Sequence, residues 1–294
     1  MSVRASHHLS PLRYPGGKGK LAPIIKKFVR DNHLLDRVYV EPFAGGAGVA
    51  LALLMHGYMR RIVINDLNPP IYAFWRSIIS ENERFCARIE DTPVDPSEWK
   101  RQKAILHDEA TSEFDLGFAA FYLNRTNHSG VLNGGMIGGK SQASHYRIDA
   151  RFNRKELAKR IARVGRYADR ISLSNFDAAD LIRNLSETDE PENFFIYADP
   201  PYVKKGPDLY YSFFKDSDHR ELAKEMSRLP KEMAWMVSYD NAPLVTDLYS
   251  RFNRAEYDLN YSVRNGGSGR EVMFFSPSLK NFQAFLESES VQTV

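Results

Sequence analysis

Residues 199–202, Asp-Pro-Pro-Tyr, place an acceptor carboxylate, two stiff prolines and an aromatic ring directly after the apolar run 194–198. Proline has no backbone N–H to donate, so a strand over the apolar run must end at this point. The Asp199 carboxylate and the Pro200 carbonyl can accept hydrogen bonds from a planar exocyclic amino group, while the Tyr202 ring stacks on the base that carries it. A solvated turn that closes a buried strand would also explain the tetrapeptide, so its chemistry depends on the motifs around it.

A glycine-rich turn at 43–48 follows the short apolar run 38–40 and precedes an apolar stretch at 49–56. This order predicts a strand, a tight turn and a helix whose N-terminus can face a ligand. Asp66 stands 21 residues beyond Gly45, near the spacing at which an acid binds ribose hydroxyls in dinucleotide-binding folds. Taken alone, the segment is compatible with an NAD-dependent oxidoreductase or with a turn that serves only helix–sheet packing.

Two further segments carry charged residues that could contact a ligand. The segment 13–18 ends in Gly-Gly-Lys upstream of the first strand, in a position that a dinucleotide-binding fold would not need. Its lysine could place a cation beside a carboxylate group of a ligand, or the segment could simply be a loop before a basic amphipathic helix. Asp177 follows the candidate strand 170–173, where it could accept a hydrogen bond from an adenine amino group, with Phe176 against the ring, or cap the next helix.

Hydrophobic periodicity predicts a mostly parallel α/β sheet, interrupted by helices and closed by an antiparallel hairpin. The predicted strands cover 38–40, 62–64, 170–173, 194–198, 233–238, 255–263 and 271–276, with a glycine-rich hairpin turn at 265–269. Further predicted helices cover 71–79, 97–106, 114–123, 153–167, 178–185, 219–229 and 243–251. Only helical patterns occur between 80 and 165, and the polar stretch 124–144 is longer than a connection needs.

Chain length and composition limit which classes of protein the sequence can form. With 294 residues, 43% of them hydrophobic, the chain can form one large domain or one domain with an insertion. A net charge of +3 admits a nucleic-acid partner if lysines and arginines gather on one face. A single cysteine, Cys86, and the absence of an HExxH motif give no signature of a disulfide framework or a metal site. No signal peptide or membrane-spanning run is evident, so we expect a cytoplasmic protein.

Together these motifs resemble those of the Dam-type (D12 class) DNA adenine-N6 methyltransferases over nearly the whole chain. In order, they are RYPGGK (13–18), EPFAGGAG (41–48), IND (64–66), FYLNR (121–125), SNFDA (174–178), ADPPY (198–202), SYDNA (238–242) and RNGGSGREV (264–272). The resemblance implies a Rossmann-like AdoMet-dependent methyltransferase sheet with an α-rich insertion, S-adenosylmethionine (AdoMet) as methyl donor and double-stranded DNA as partner. We therefore expect methyl transfer to the N6 amino group of a flipped-out adenine. The catalytic domain would span 1–75 and 166–294, the target-recognition insertion 76–165, and the protein would be a monomer or weak dimer without a metal.

The resemblance also implies roles for individual residues. The cofactor site would comprise Tyr14, Gly17, Lys18, Glu41, Pro42, Phe43, Gly45, Gly48, Asp66, Phe176 and Asp177, with Asp66 on the ribose and Asp177 on the adenine of AdoMet. The target base would be held by Asp199, Pro200, Pro201 and Tyr202. The DNA surface would include Arg125, Asn127, His128, Asn133, Lys140, Ser141, His145 and Arg147, with Lys204, Lys205, Arg264 and Arg270 as phosphate contacts.

The chain departs from the family pattern in two places. Ala47 stands where the family has a glycine, and we expect the turn to form nonetheless. The segment after Arg125 differs from that of relatives that read GATC, so that recognition sequence does not follow from the resemblance.

Three rival functions remain open. An exocyclic-amino methyltransferase acting on RNA or on cytosine N4 would use the same acceptors, although cytosine enzymes usually begin the tetrapeptide with serine. A catalytically silent, sequence-specific DNA-binding module could keep the fold. The NAD oxidoreductase leaves residues 199–202 unexplained.

Overall fold

Seven strands form one mixed sheet in the computed structural model, which describes residues 9–13, 18–203, 214–260 and 268–282. They are β1 (Val38–Glu41), β2 (Arg61–Asn65), β3 (Ile171–Ser174), β4 (Phe194–Ala198), β5 (Ala234–Asp240), β6 (Asn253–Asn260) and β7 (Ser268–Phe275). Each predicted strand has its counterpart here, because the short, β-branched and aromatic runs are bounded by turn residues that stop them. Part of the predicted hairpin turn, 261–267, lies outside the described residues.

The strand order is β3-β2-β1-β4-β5-β7-β6. The first five strands pair in parallel, whereas β7 runs antiparallel to both β5 and β6. The order 3-2-1-4-5 is that of doubly wound sheets, in which the chain changes direction of winding between β1 and β4. Ligands of such sheets bind at this switch point, outside the carboxyl ends of the strands. The predicted fold class, a mostly parallel Rossmann-like sheet with a closing antiparallel hairpin, is confirmed.

Ten α-helices occur in the described part of the chain. They are α1 (Ala22–Asp31), α2 (Gly48–Met55), α3 (Pro69–Ser80), α4 (Asn82–Asp91), α5 (Pro96–Leu106), α6 (Glu113–Thr126), α7 (Arg154–Gly165), α8 (Ala178–Ser186), α9 (Asp216–Arg228) and α10 (Pro243–Leu248). The sequence patterns did not predict α4, since only Phe85 and Ile89 of this charged helix are buried. None of the helices in the described ranges has the length and apolar character that a bilayer span requires.

Helices α3 to α7 occupy the chain between β2 and β3. Helices α3 and α6 cross so closely that a Cβ atom on Gly117 would lie 2.5 Å from the carbonyl oxygen of Ala73. The rings of Phe74 and Phe121 stack across this crossing at 5.9 Å. The aromatic core of these helices is continuous with the core on one side of the sheet. The division into a catalytic domain and a recognition insertion stays a prediction.

Candidate active site and nucleic-acid interface

Acidic side chains stand at or just after the carboxyl ends of all five parallel strands. Glu41 and Asp240 end β1 and β5, and Asp66, Asp177 and Asp199 follow β2, β3 and β4. Parallel strands bring these ends to one edge of the sheet. The predicted cofactor acids and the predicted base-binding acid therefore lie along the same edge of the sheet, the edge at which ligands of doubly wound sheets bind.

Glu41 is buried beside the glycine turn. One of its oxygens, Oε1, accepts hydrogen bonds from the Tyr39 hydroxyl at 2.8 Å and from the Ala50 backbone N–H at 3.1 Å. Burial raises the pKa of Glu41 to about 8 in spite of these donors. A cationic ligand group placed here would restore the ionised form.

The glycine turn is held from both sides. The Gly45 N–H donates to Asp66 Oδ2 at 2.7 Å, and the Trp75 indole N–H donates to the Gly45 carbonyl at 2.9 Å. Ala47 adopts a left-handed conformation with φ of 45°, so the turn forms although the family's glycine is missing. Pro42 accepts a hydrogen bond from Asn65 at 2.9 Å, which ties the end of β1 to the end of β2.

Gly48 lies in a tight contact with the N-terminal region. A Cβ atom there would lie 3.2 Å from the Cα atom of Gly19, on the short 3-10 turn that also carries Lys18. The absence of a side chain therefore lets the Lys18 segment rest on the start of α2. Phe43, half-buried, makes an edge-to-face contact with Phe214 at 5.8 Å.

Asp66 and the end of β3 form a second part of the crevice. The Asp66 carboxylate accepts from the Asn68 N–H at 3.0 Å in addition to Gly45, and burial raises its pKa to about 6. Two large apolar side chains beside it are unusually exposed, Leu67 at 47% and Phe176 at 53%. An apolar pair next to a buried acid is suited to a nucleoside, whose base is flat and whose ribose donates hydrogen bonds.

Asp177 caps helix α8, because its Oδ1 accepts from the Ala179 N–H at 2.8 Å. The capping role that the sequence left open is thus observed. The residue is exposed, and its predicted role on the adenine of the cofactor stays a prediction.

Asp199 is held by two donors. The Ser238 hydroxyl donates to Asp199 Oδ1 at 2.5 Å, and Lys18 Nζ lies 3.4 Å from the same oxygen. Loss of hydration raises the pKa of Asp199, whereas the Lys18 ammonium opposes this rise and the Glu271 carboxylate adds to it. The Asp199 side chain is 24% exposed.

The residues after Asp199 are also fixed. Pro200, Pro201 and Tyr202 are buried, and the Val203 N–H donates to Asp240 at 3.0 Å, which anchors the turn to the end of β5. The Tyr202 hydroxyl donates to Glu271 at 2.5 Å and accepts a hydrogen bond from Lys18.

Lys18 lies among protein carboxylates. Its Nζ is within 3.2 Å of Glu271 and 3.4 Å of Asp199, and 4.7 Å from the centre of the Tyr202 ring. The sequence-based expectation that Lys18 stands beside a carboxylate group of a ligand stays a prediction, and in the structure its carboxylate neighbours are Asp199 and Glu271. The other residues of this group, Ser238, Tyr257 and Glu271, were not singled out from the sequence. Ser238 and Glu271 lie in the motifs SYDNA and RNGGSGREV and Tyr257 in the predicted strand 255–263, but no local pattern gave these side chains a role.

Asn127, a predicted DNA contact, is fully buried. Its Oδ1 accepts from the Trp99 indole at 2.6 Å, and its Nδ2 donates to the carbonyls of Val131 and Leu132 at 2.8 and 2.9 Å. The structure therefore corrects the sequence-based expectation: with its amide occupied inside the loop, Asn127 shapes the loop and does not present itself to a ligand.

Arg125 is half-buried and donates from Nε to the Arg151 carbonyl at 2.8 Å. Loss of hydration, together with the nearby Arg13, Arg160 and Arg151, lowers its pKa to about 9. Arg125, Arg151 and Arg160 line one cavity of about 350 Å³. A neighbouring cavity of about 340 Å³ is lined by Arg13, His128, Ser129, Ile137, Tyr146, Ala150 and Arg151.

The remaining predicted DNA contacts of the loop are exposed. They are His128, Asn133, Lys140, Ser141, His145 and Arg147. Tyr146, which the sequence analysis did not single out, is 60% exposed between His145 and Arg151. Tyr14, Gly17, Lys204, Lys205 and Arg264 lie outside the described residues, as does the side chain of Arg270.

Comparison with known proteins shows the family of the chain. The chain matches the model of the D12 class N6 adenine-specific DNA methyltransferase family over residues 14–263. It is 24% identical to the type II methyltransferase M.MjaIII of Methanocaldococcus jannaschii over 298 aligned positions, which cover 92% of this chain and 98% of that protein.

Two solved structures are also similar. An rRNA methylase from Streptococcus thermophilus has a TM-score of 0.34 and 12% identity, covering 86% of this chain and 93% of its own. Precorrin-6y C5,15-methyltransferase from Geobacter metallireducens has a TM-score of 0.33 and 10% identity, covering 85% of each chain.

The fold and the family match define a Rossmann-like, AdoMet-dependent DNA methyltransferase. The chain belongs to the D12 class N6 adenine-specific DNA methyltransferase family, whose model covers most of its length.

Proposed function

We propose that this enzyme transfers the methyl group of AdoMet to the N6 amino group of an adenine flipped out of double-stranded DNA. The observation that carries the proposal is Asp199, which stands at the carboxyl end of β4 beside the switch point, with Pro200 directly after it. Ser238 and Lys18 both hold Oδ1. Both contacts are made to Oδ1 and neither to Oδ2. Holding Oδ1 fixes the plane of the carboxylate and with it the orientation of Oδ2.

The proposed methyl transfer does not depend on a strong general acid or general base. Bound AdoMet would supply the methyl group of its sulfonium: the methyl–sulfur bond would break as the methyl–N6 bond forms, the sulfur would leave as a neutral thioether, and the proton lost by N6 would pass to solvent. Adenine N6 is a weak nucleophile because its lone pair is delocalised into the ring. Hydrogen bonds from the amino group to Asp199 and the Pro200 carbonyl would favour a pyramidal nitrogen and orient its lone pair, so positioning and fixed dipoles provide much of the rate.

The cofactor would bind over the ends of β1, β2 and β3. Two buried acids there, Glu41 and Asp66, have raised pKa values, and the exposed apolar pair Leu67 and Phe176 lies beside Asp66. A molecule that brings an ammonium group, ribose hydroxyls and a flat base meets each of these features. In this proposal Glu41 faces the methionine end, Asp66 the ribose and Phe176 the adenine, with Asp177 near the adenine amino group. Pro42, Phe43, Gly45 and Gly48 shape the turn.

Duplex DNA would lie along the loop 127–147 and the adjoining arginines. Burial lowers the pKa of Arg125, and repulsion from the positive charges of Arg13, Arg160 and Arg151 lowers it further. A phosphate group would relieve that repulsion and accept hydrogen bonds from several guanidinium groups. The exposed loop residues could then reach base edges in the groove. Extruding the target base costs a few kcal/mol, and Tyr202 and Tyr146 are the aromatic groups available to compensate by stacking.

Modification-sensitive long-read sequencing tests the reaction, the base and the site together. A host without DNA methylation would express the wild-type chain, Asp199→Asn, or Asp180→Asn, an exposed aspartate of α8 that serves as a matched control. We expect N6-methyladenine at one short recurring motif with wild type and Asp180→Asn, and none with Asp199→Asn. N4-methylcytosine instead would favour the cytosine rival. Transfer of tritium from labelled AdoMet to RNA but not DNA would favour the RNA rival, and no transfer at all would favour the silent DNA-binding module.

Cofactor binding separates the two halves of the site. Asp66→Ala should weaken AdoMet binding about 10–100-fold, the range for a hydrogen bond to a charged group. Asp199→Asn should leave AdoMet binding within a few-fold of wild type while it abolishes transfer. Calorimetric titration measures both; equal loss of AdoMet binding in the two folded variants would contradict this division of roles.

A further inference from the structure

Glu271 is a buried carboxylate to which the proposed reaction has so far given no task. It lies in the middle of β7, in register with Tyr257 of β6 and Asp240 of β5, and is 1% exposed. A carboxylate in such a position needs several donors to be stable.

Both of its oxygens are engaged by groups of the active site. Oε1 accepts from the Tyr202 hydroxyl at 2.5 Å, and Oε2 accepts from the Tyr257 hydroxyl at 2.8 Å. Lys18 Nζ lies 3.3 Å from Oε1 and 3.2 Å from Oε2. Glu271 therefore binds the last residue of the Asp-Pro-Pro-Tyr turn and the lysine that also contacts Asp199.

One ammonium group, that of Lys18, thus faces two carboxylates. It lies slightly closer to Glu271 than to Asp199, at 3.2 Å against 3.4 Å. Without the competing Glu271 carboxylate, this buried ammonium would be drawn more closely to Asp199. Asp199 would then be a poorer acceptor for an incoming amino group.

Resting on the proposed function, we propose that Glu271 is a positioning residue for methyl transfer: it fixes Tyr202 and shares Lys18, so that Asp199 remains available to the target amino group. The residue does not itself touch the reacting atoms. Its effect passes through Lys18 and Tyr202.

A pH–rate profile reports this role, because transfer needs ionised Asp199. Among the described residues, the groups that interact electrostatically or by hydrogen bonds with Asp199 are Lys18, Glu271, Glu41, Tyr39, Tyr197, Tyr202, Tyr239, Tyr257 and Ser238. Burial raises the pKa of each of these tyrosines, so they stay neutral over the working range. The negative charge of Glu271 raises the pKa of Asp199, so its removal must shift the acid limb of the profile to lower pH.

The experiment compares wild type with Glu271→Gln, Glu271→Asp and Glu225→Gln. Glu225 is an equally buried glutamate on α9, paired with Arg183 and Arg228, and controls for the loss of a buried carboxylate. For Glu271→Gln we expect kcat to fall by about tenfold or more, AdoMet affinity to stay within about threefold, and the acid limb of kcat to move to lower pH. Glu271→Asp should recover part of kcat, and Glu225→Gln should keep the wild-type profile.

A wild-type kcat and pH profile in folded Glu271→Gln would overturn the proposal. So would a parallel loss of kcat and AdoMet affinity with an unmoved acid limb, since that is the signature of a purely structural role. Failure of the proposed function looks different: the wild-type enzyme itself would then transfer no methyl group to adenine in DNA, whatever occupies position 271.

Discussion

Replacing Glu41 with glutamine should stabilise the protein in the absence of cofactor, and increasingly so as the pH rises. Burial raises the pKa of Glu41 from its ordinary 4.5 to about 8. An unfolded chain releases this proton near 4.5, whereas the folded chain keeps it until about 8. Folding therefore takes up a proton between these values, and stability falls as pH rises through that window.

The size of the effect follows from linkage. The raised pKa of Glu41 lowers the free energy of unfolding by less than about 1 kcal/mol at pH 5 and by at most about 4 kcal/mol at pH 8. Glutamine keeps the Oε1 acceptor for Tyr39 and Ala50 and has no proton to lose. The advantage of Glu41→Gln should thus increase by about 3 kcal/mol, which corresponds to roughly 6 °C in Tm for a chain of this size.

Thermal unfolding of both proteins at pH 5, 6.5 and 8 measures this difference. Glu225→Gln is the contrasting variant, since its carboxylate is paired with two arginines and its removal should destabilise. AdoMet at pH 8 should reverse the order, because a bound ammonium group would stabilise ionised Glu41 in wild type alone. An advantage of Glu41→Gln that stays constant or shrinks between pH 5 and 8 would refute the reasoning.

Three further predictions concern packing and DNA binding. Gly117→Ala should destabilise by about 1–3 kcal/mol or more, because its Cβ would lie 2.5 Å from the backbone of Ala73, while Gly135→Ala, with open space around it, should be near neutral in urea unfolding. Asn127→Ala removes the acceptor for Trp99 and the donor for two loop carbonyls, so DNA affinity should fall while AdoMet affinity is kept; equal losses in both titrations would contradict a local role. Arg151→Gln should reduce the slope of log DNA affinity against log salt concentration by about one counterion. An unchanged slope would show that Arg151 does not contact a phosphate group.

The framework of the site was predictable from sequence because its determinants are local. Each strand is a short apolar run that ends in a turn residue, and parallel pairing then places Glu41, Asp66 and Asp199 at one edge without further information. Even the departure at Ala47 is absorbed locally, by a left-handed residue in the turn.

Burial and distant contacts could not be predicted in the same way. In the sequence, Asn127 and Arg125 look like surface residues of a polar segment. In the structure Asn127 is fully buried and Arg125 half-buried, because Trp99 and Arg151, which are distant in sequence, form hydrogen bonds with them. Glu271 is 69 positions from Tyr202 and reaches it only because β7 inserts beside β5. Helix α4 escaped notice because two buried side chains give too weak a periodicity.

Residues of the N-terminal region contact both the end of α6 and the candidate active site. Asn124 at the end of α6 accepts from the Arg13 N–H at 2.7 Å and donates to the carbonyls of Arg13 and Gly130, both at 2.8 Å. Five positions further along the chain, Lys18 lies against Asp199 and Glu271. The order RYPGGK followed by FYLNR in the sequence thus has a physical basis: one motif supplies the lysine, and the asparagine of the other fixes where its segment begins.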